Sequence, residues 1–150
     1  MGGNNVNDHL ELQLGARPWQ PTDGTRLVTE LDYYDMPTAG LLEQGNSPVL
    51  FMCVDGHGTR VTVWVYAPLE TAEAEALGEV QGGEAIDAEI KQIFRTKPMV
   101  AALAVDGQLR LAAPMELRRQ GSPLRDAALA AVTEQADSEQ EAVRSLLTPA

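Results

Sequence analysis

The chain has 150 residues, of which 44% are hydrophobic and 5% aromatic, and it carries a formal net charge of −11. That length suits one domain, with a core drawn mainly from Ala, Val and Leu. The acidity, with a pI near 4.5, argues against direct contact with nucleic acid, whose phosphates are met by Lys and Arg, and against an anionic membrane surface; it favours solubility and fits a basic protein partner.

One cysteine, Cys53, rules out an internal disulfide and fits a reducing compartment. The first residues, MGGNNVNDHLELQLG, have no basic and then apolar succession of the kind a secretory signal needs. Val6 stands where a myristoylation pattern wants Ser or Thr. Apolar runs are too short for a membrane span. A soluble cytoplasmic protein with no cofactor is the expectation, and the oligomeric state stays open.

Residues 1–24 are rich in Gly, Asn, Asp and Pro and read as a flexible or loosely docked segment ahead of a single domain at 25–150. Two features within it suit an extended chain pressed onto a body. His9 to Leu14 alternates in polarity like a half-buried strand, and Trp19 stands between Pro18 and Pro21. Arg26 to Tyr33 reads as the first strand, with Leu27, Thr29, Leu31 and Tyr33 on one side and Val28, Glu30, Asp32 and Tyr34 on the other. Pro37 interrupts the run. Ala39 to Gln44 forms a second strand, Gly45-Asn46-Ser47-Pro48 a turn, and Val49 to Val54 a strand apolar on both faces. After Asp55-Gly56-His57-Gly58 comes Thr59 to Tyr66, in which Val61, Val63 and Val65 oppose Thr62, Trp64 and Tyr66.

Helices follow. Thr71 is placed to cap an Ala/Glu helix ending near Gly78. Glu84 to Arg95 carries Ile86, Ile90, Ile93 and Phe94 as one apolar stripe. Pro98 to Val105 and Gln108 to Ala113 make a hairpin around Asp106-Gly107, with Leu109 and Leu111 on one side and Arg110 on the other. Ser122-Pro123 opens a helix to about Thr133, and Ser138 to Glu141 forms a capping box for a separate last helix. The class predicted is α+β: an antiparallel sheet of about five or six strands, meander plus hairpin, with helices packed on one side.

Candidate chemistry is sparse. Asp32-Tyr33-Tyr34-Asp35 pairs two carboxylates that suit a divalent metal or a shared proton, but their odd spacing turns them to opposite faces of a strand. His57, between two glycines, has no second ligand at helical or strand spacing. Cys53, among Phe51, Met52 and Val54, reads as a buried, inert thiol. The sequence has no G-x-S-x-G, P-loop or dinucleotide fingerprint. The feature that best suits a binding surface is the Thr62, Trp64 and Tyr66 face, extended by Glu30, Asp32, Tyr34 and Arg110. A helix laid over this face would make the same residues ordinary core, and that cover is the expectation.

Leu31-Asp32-Tyr33-Tyr34-Asp35-Met36-Pro37 and the later Trp64-Val65-Tyr66-Ala67-Pro68 resemble a group of small bacterial proteins of unassigned activity that carry a YDGP turn between two strands. Met36 stands here in place of the glycine. The order of elements, three strands, a helix, two strands and a closing helix, is similar to that of type III secretion chaperones, which bind an extended effector segment without catalysis. This chain lacks their leading helix. The functional expectation is an acidic, non-enzymatic protein-binding module, acting as an immunity protein, antitoxin-like inhibitor or chaperone does on a basic or extended partner. The alternatives are a small hydrolase or ligand-binding protein using Asp32, Asp35, Asp55 and His57, and a structural subunit of a larger assembly. Alanine and arginine usage suits a GC-rich bacterial source.

Overall fold

Among the described residues, short runs of β-branched and aliphatic residues, separated by Gly, Pro, Asn and Asp, build six strands, and three helices fill the longer gaps. The computed structural model describes residues 12, 14–33, 37–79, 83–115 and 123–147, with the backbone alone at 32, 33, 37, 83–87 and 138–147. The strands β1 (Thr25–Tyr33), β2 (Pro37–Gln44), β3 (Ser47–Asp55) and β4 (Val61–Pro68) form a meander. After them come α1 (Thr71–Glu79), α2 (Gly83–Thr96), β5 (Met99–Val105), β6 (Gln108–Met115) and α3 (Leu124–Leu147). One sheet takes the strands in chain order, each neighbour antiparallel. The fold is therefore α+β, with a six-stranded antiparallel sheet and helices on one face.

Period-two alternation sorts the core into two layers. On the helical face lie Leu41, Leu50, Val63, Val65, Met99 and Ala101, packed against Leu77 of α1, Ile90, Ile93 and Phe94 of α2, and Ala128 and Val132 of α3. The opposite face gathers Leu42, Val49, Phe51, Trp64, Tyr66, Val100, Ala102 and Leu109. β3, β4 and β5 contribute to both layers, as their doubly apolar sequences require. The β5–β6 turn places Asp106 at φ 53° and Gly107 at φ 81°, the left-handed pair that a two-residue hairpin demands.

Five register shifts interrupt the simple alternation, three of them between β1 and β2 and one each in the β3–β4 and β5–β6 pairs. Leu27 pairs with Leu42 and Thr29 with Leu41, leaving Val28 as an extra residue. Consequently Leu27 packs on the aromatic face and Leu31 on the helical face, where strict alternation predicts one side for both. Arg110 is the extra residue of β6, because Leu109 opposes Ala104 while Leu111 opposes Leu103. Leu109 and Leu111 accordingly enter opposite layers, a correction to their expected shared side. In β3, Val54 is extra between the Cys53–Trp64 and Asp55–Val63 pairs. That bulge turns Asp55 toward the helical face, where Arg125 holds it.

The two helices expected on either side of residue 135 are one helix, α3, of 24 residues and about 36 Å. The capping-box pattern at Ser138 is overridden because Gln135, Ala136 and Asp137 all tolerate helical geometry, and Ala128, Val132 and Ala136 already lie against the sheet. α1 starts at Thr71, and the Glu70 N–H donates to Glu73 Oε1 at 2.8 Å. The cap thus falls one residue before the expected Thr71. Lys97 Nζ, 2.8 Å from the same Glu73 oxygen, ties α1 to the entry of β5. Burial acts to raise the Glu73 carboxyl, but the Glu70 N–H and Lys97 outweigh it and hold the group below its ordinary value.

Candidate functional site

Thr62, Trp64 and Tyr66 project together from β4, as their spacing predicts, and all three are buried. Trp64 Nε1 donates to Thr62 Oγ1 at 2.7 Å. Phe51 of β3 lies between the two rings, its centroid 6.0 Å from Trp64 and 6.4 Å from Tyr66. The expected helical cover is corrected here: among the described residues the cover is the extended segment 14–24, because α1, α2 and α3 all pack on the other face. The Tyr66 hydroxyl donates to the Pro18 carbonyl at 2.8 Å, and Trp19 sits 6.3 Å from Trp64 between centroids. The Gly15 N–H donates to the Leu109 carbonyl at 3.1 Å, and the Leu109 N–H to the Ala16 carbonyl at 3.0 Å. Leu12 also packs on this layer, whereas Leu14 is exposed. The segment therefore crosses the face as a strap from β6 to the start of β1. Complete burial pushes the Tyr66 hydroxyl well above its usual range, so it stays protonated and keeps donating.

Of the other residues expected to extend this patch, Glu30 and Arg110 do not gather on it. Glu30 is exposed on β1 and Arg110 is exposed on β6, the two opposite edges of the sheet. Asp32 belongs to β1 by its backbone, opposite Ala39. Tyr34 and Asp35 lie outside the described residues, as do His9 and Ser122.

Of the residues of the hydrolase alternative, Asp32, Asp55 and His57 lie at one end of the sheet. Asp32 stands opposite Ala39, and Ala39 opposite Met52, so Asp32 is at the same end of the sheet as Asp55 and the turn bearing His57, two strands away. Arg125 Nε donates to Asp55 Oδ1. His57 is exposed. The Cys53 thiol contacts the Asp55 carbonyl at 3.5 Å, and burial pushes it up to about 11, so it is a neutral thiol at physiological pH. Among the described residues no three His, Cys, Asp or Glu side chains are placed to hold a metal ion, and no helix is long and apolar enough to cross a membrane.

What the sequence reading missed is a cleft of about 510 Å³ on the helical face, at the end of the sheet that carries Asp55. Its floor is Val61, Val63, Leu103 and Leu111, and its wall is the side of α3 bearing Leu129, Val132, Thr133 and Ala136. Asp55 and Asp137 border it. Val61 is 44% exposed, a large apolar side chain open to solvent at the cleft floor. A second cleft, about 380 Å³, lies between α1 and the β1–β2–β3 strands, with Val28, Leu41, Pro48 and Ala74 among its apolar lining and Glu43 and Glu75 among its acids. Arg26 engages Glu43 there at 2.9 Å. Alternation in β4 did foretell the Val61 and Val63 side. Nothing in the sequence foretold Asp137, since its place depends on α3 running unbroken past residue 135.

No family model, curated protein or solved structure matches this chain in the comparisons made with each.

Proposed function

We propose that this chain is an acidic, non-enzymatic protein-binding module of the cytoplasm, in the manner of an immunity protein, an antitoxin-like inhibitor or a chaperone. The observation that carries this reading is the cleft between α3 and the sheet, apolar along its floor and bordered by Asp55 and Asp137. An apolar anchor from a partner would displace water from Val61, Leu103 and Leu129. A basic residue beside the anchor would meet Asp137, since Asp55 is already held by Arg125. The net charge of −11 adds a long-range attraction that speeds encounter with such a partner and weakens as salt rises. The test is capture of partners by the tagged protein at low and high salt, with identification by mass spectrometry. The reading expects a basic protein held at low salt and released at high salt. A partner whose retention is indifferent to salt, or none at either salt, would count against it.

A second reading, a small hydrolase or ligand-binding site using Asp32, Asp35, Asp55 and His57, draws on one observation, the shared end of the sheet at which Asp32 and the Asp55–His57 turn lie. The grip of Arg125 on Asp55 weighs against it. It expects a thermal shift from a divalent cation or a small ligand that the Asp55→Asn and His57→Ala variants both abolish.

A further inference from the structure

The aromatic layer and its cover have the form of a peptide and its receptor joined in one chain. We propose that the face formed by Phe51, Trp64, Tyr66 and Leu109 is a second peptide-binding site, held in cis by the chain's own strap and open in trans to an extended partner segment of the type basic–Pro–aromatic–x–Pro. This site lies on the opposite side of the sheet from the acid-flanked cleft and does not depend on that reading.

Three observations support it. First, the seat grips main chain. The Tyr66 hydroxyl donates to the Pro18 carbonyl, and the Leu109 N–H and carbonyl both engage backbone of Gly15 and Ala16. Contacts of that kind give affinity to any extended chain, and side-chain pockets then supply selectivity. Second, the side chains of the strap state the selectivity. Pro18 and Pro21 are buried, and the Trp19 indole meets Trp64 as a tilted pair at 55°. The Arg17 guanidinium lies 5.8 Å from the centre of the Trp19 ring. A proline-stiffened segment loses little entropy on docking, and a cationic residue beside the indole suits a protein of charge −11. Third, the strap and the helices pack on different layers. No helical residue among those described belongs to the layer beneath it, so its departure leaves the helical core intact. The body below cannot stay bare, however, because Phe51, Trp64 and Tyr66 are fully buried with the strap in place. A site that must be covered, yet is covered by an irregular segment, is one in which one extended chain can replace another.

Cys53 reports on the exchange, since it packs against this layer and is the only cysteine. The strap in cis enjoys an effective concentration on the order of millimolar, so the full-length Trp19→Ala variant is the form in which a trans peptide can compete. The experiment follows Cys53 modification by a thiol reagent in full-length wild type, Trp19→Ala and Tyr66→Phe. Each is measured with and without the synthetic peptide ARPWQPT or its Trp-to-Ala analogue. Loss of the indole contact or of one buried hydrogen bond is expected to speed Cys53 modification by about tenfold. The ARPWQPT peptide is expected to restore protection saturably in Trp19→Ala, and the analogue is not. The proposal is overturned if both variants react at the wild-type rate, or if they react faster and no concentration of ARPWQPT protects them. It is overturned too if both lose cooperative thermal unfolding, which would make the strap an inseparable part of the fold. If a dimer forms in Trp19→Ala in place of peptide protection, the seat is for a second copy and not a partner segment, and the proposal as stated fails.

Discussion

Single residues fix this fold where atoms leave no room. A Cβ on Gly40 would stand 2.5 Å from the Thr29 carbonyl oxygen and 2.9 Å from Phe51 Cε1. One contact is backbone and the other a fully buried ring, so neither yields cheaply. Gly40→Ala is expected to destabilise the protein by about 1–3 kcal/mol, measurable by urea unfolding. Gly56, at φ 79°, would place a Cβ 2.0 Å from the Val61 carbonyl oxygen, which explains a glycine just before the exposed His57. The buried thiol gives a pH prediction. Cys53 sits at about 11 in the fold against an ordinary 9.0. Below pH 9 the thiol is protonated folded or unfolded and contributes no pH dependence. Between about 9 and 11 the unfolded chain releases the proton and the folded chain does not, so stability falls as pH rises through that window. Cys53→Ala should flatten that part of the profile of unfolding free energy against pH. Tyr66, also raised by burial from an ordinary 10.0, adds to the fall from the upper half of that window onward.

At the scale of elements, the placing of the strands was legible and their faces only partly so. Alternation in β4, the doubly apolar β3 and β5, and the Asp106-Gly107 turn are local signals, and the structure follows them. The bulges at Val28, Val54 and Arg110 were not legible, because a bulge is settled by register against a neighbouring strand and not by a strand's own pattern. This bears on two changes at one position. Arg110→Ala trims an exposed side chain and is expected to alter stability by no more than about 0.5 kcal/mol. Deleting Arg110 makes Leu109 and Leu111 consecutive, so plain alternation keeps them on opposite faces and in their pairs with Ala104 and Leu103, and cooperative unfolding by circular dichroism should survive the deletion. The joining of the last two helices escaped for a similar reason, since a local capping pattern lost to packing along Ala128, Val132 and Ala136. At the start of α1, Glu73→Gln weakens the bonds to Glu70 N–H and Lys97. The pair is partly exposed, so the loss expected at neutral pH is only about 0.5 kcal/mol. Because the Glu73 carboxyl is held low, its contribution is present above the ordinary carboxylate range and disappears as pH falls through its lowered value. Wild type and Glu73→Gln should therefore converge in acid.

For the whole molecule, the sequence told that both sheet faces are covered but not by what. Apolarity on two faces demands two covers, and a helix or an extended strap satisfies it equally. The candidate site was less legible still. The cleft depends on how far α3 stands from β4, β5 and β6, a distance set by side chains from four elements at once. Its acidic border joins Asp55, turned by a bulge, to Asp137, carried there by the unbroken helix. The overall charge has its own consequence. Eleven net negative charges repel within one compact body, so added salt should raise Tm at neutral pH by screening that repulsion. The same salt should weaken a basic partner, and the two effects of opposite sign separate binding from folding. The most direct test of the binding reading compares capture of host proteins at low salt by wild type, Val61→Asp and Asp137→Lys. Both positions are exposed at the cleft, so neither substitution disturbs the core. The account predicts a basic partner retained by wild type and lost from both variants with Tm unchanged. Equal retention by all three would contradict it and move the binding surface elsewhere on the molecule.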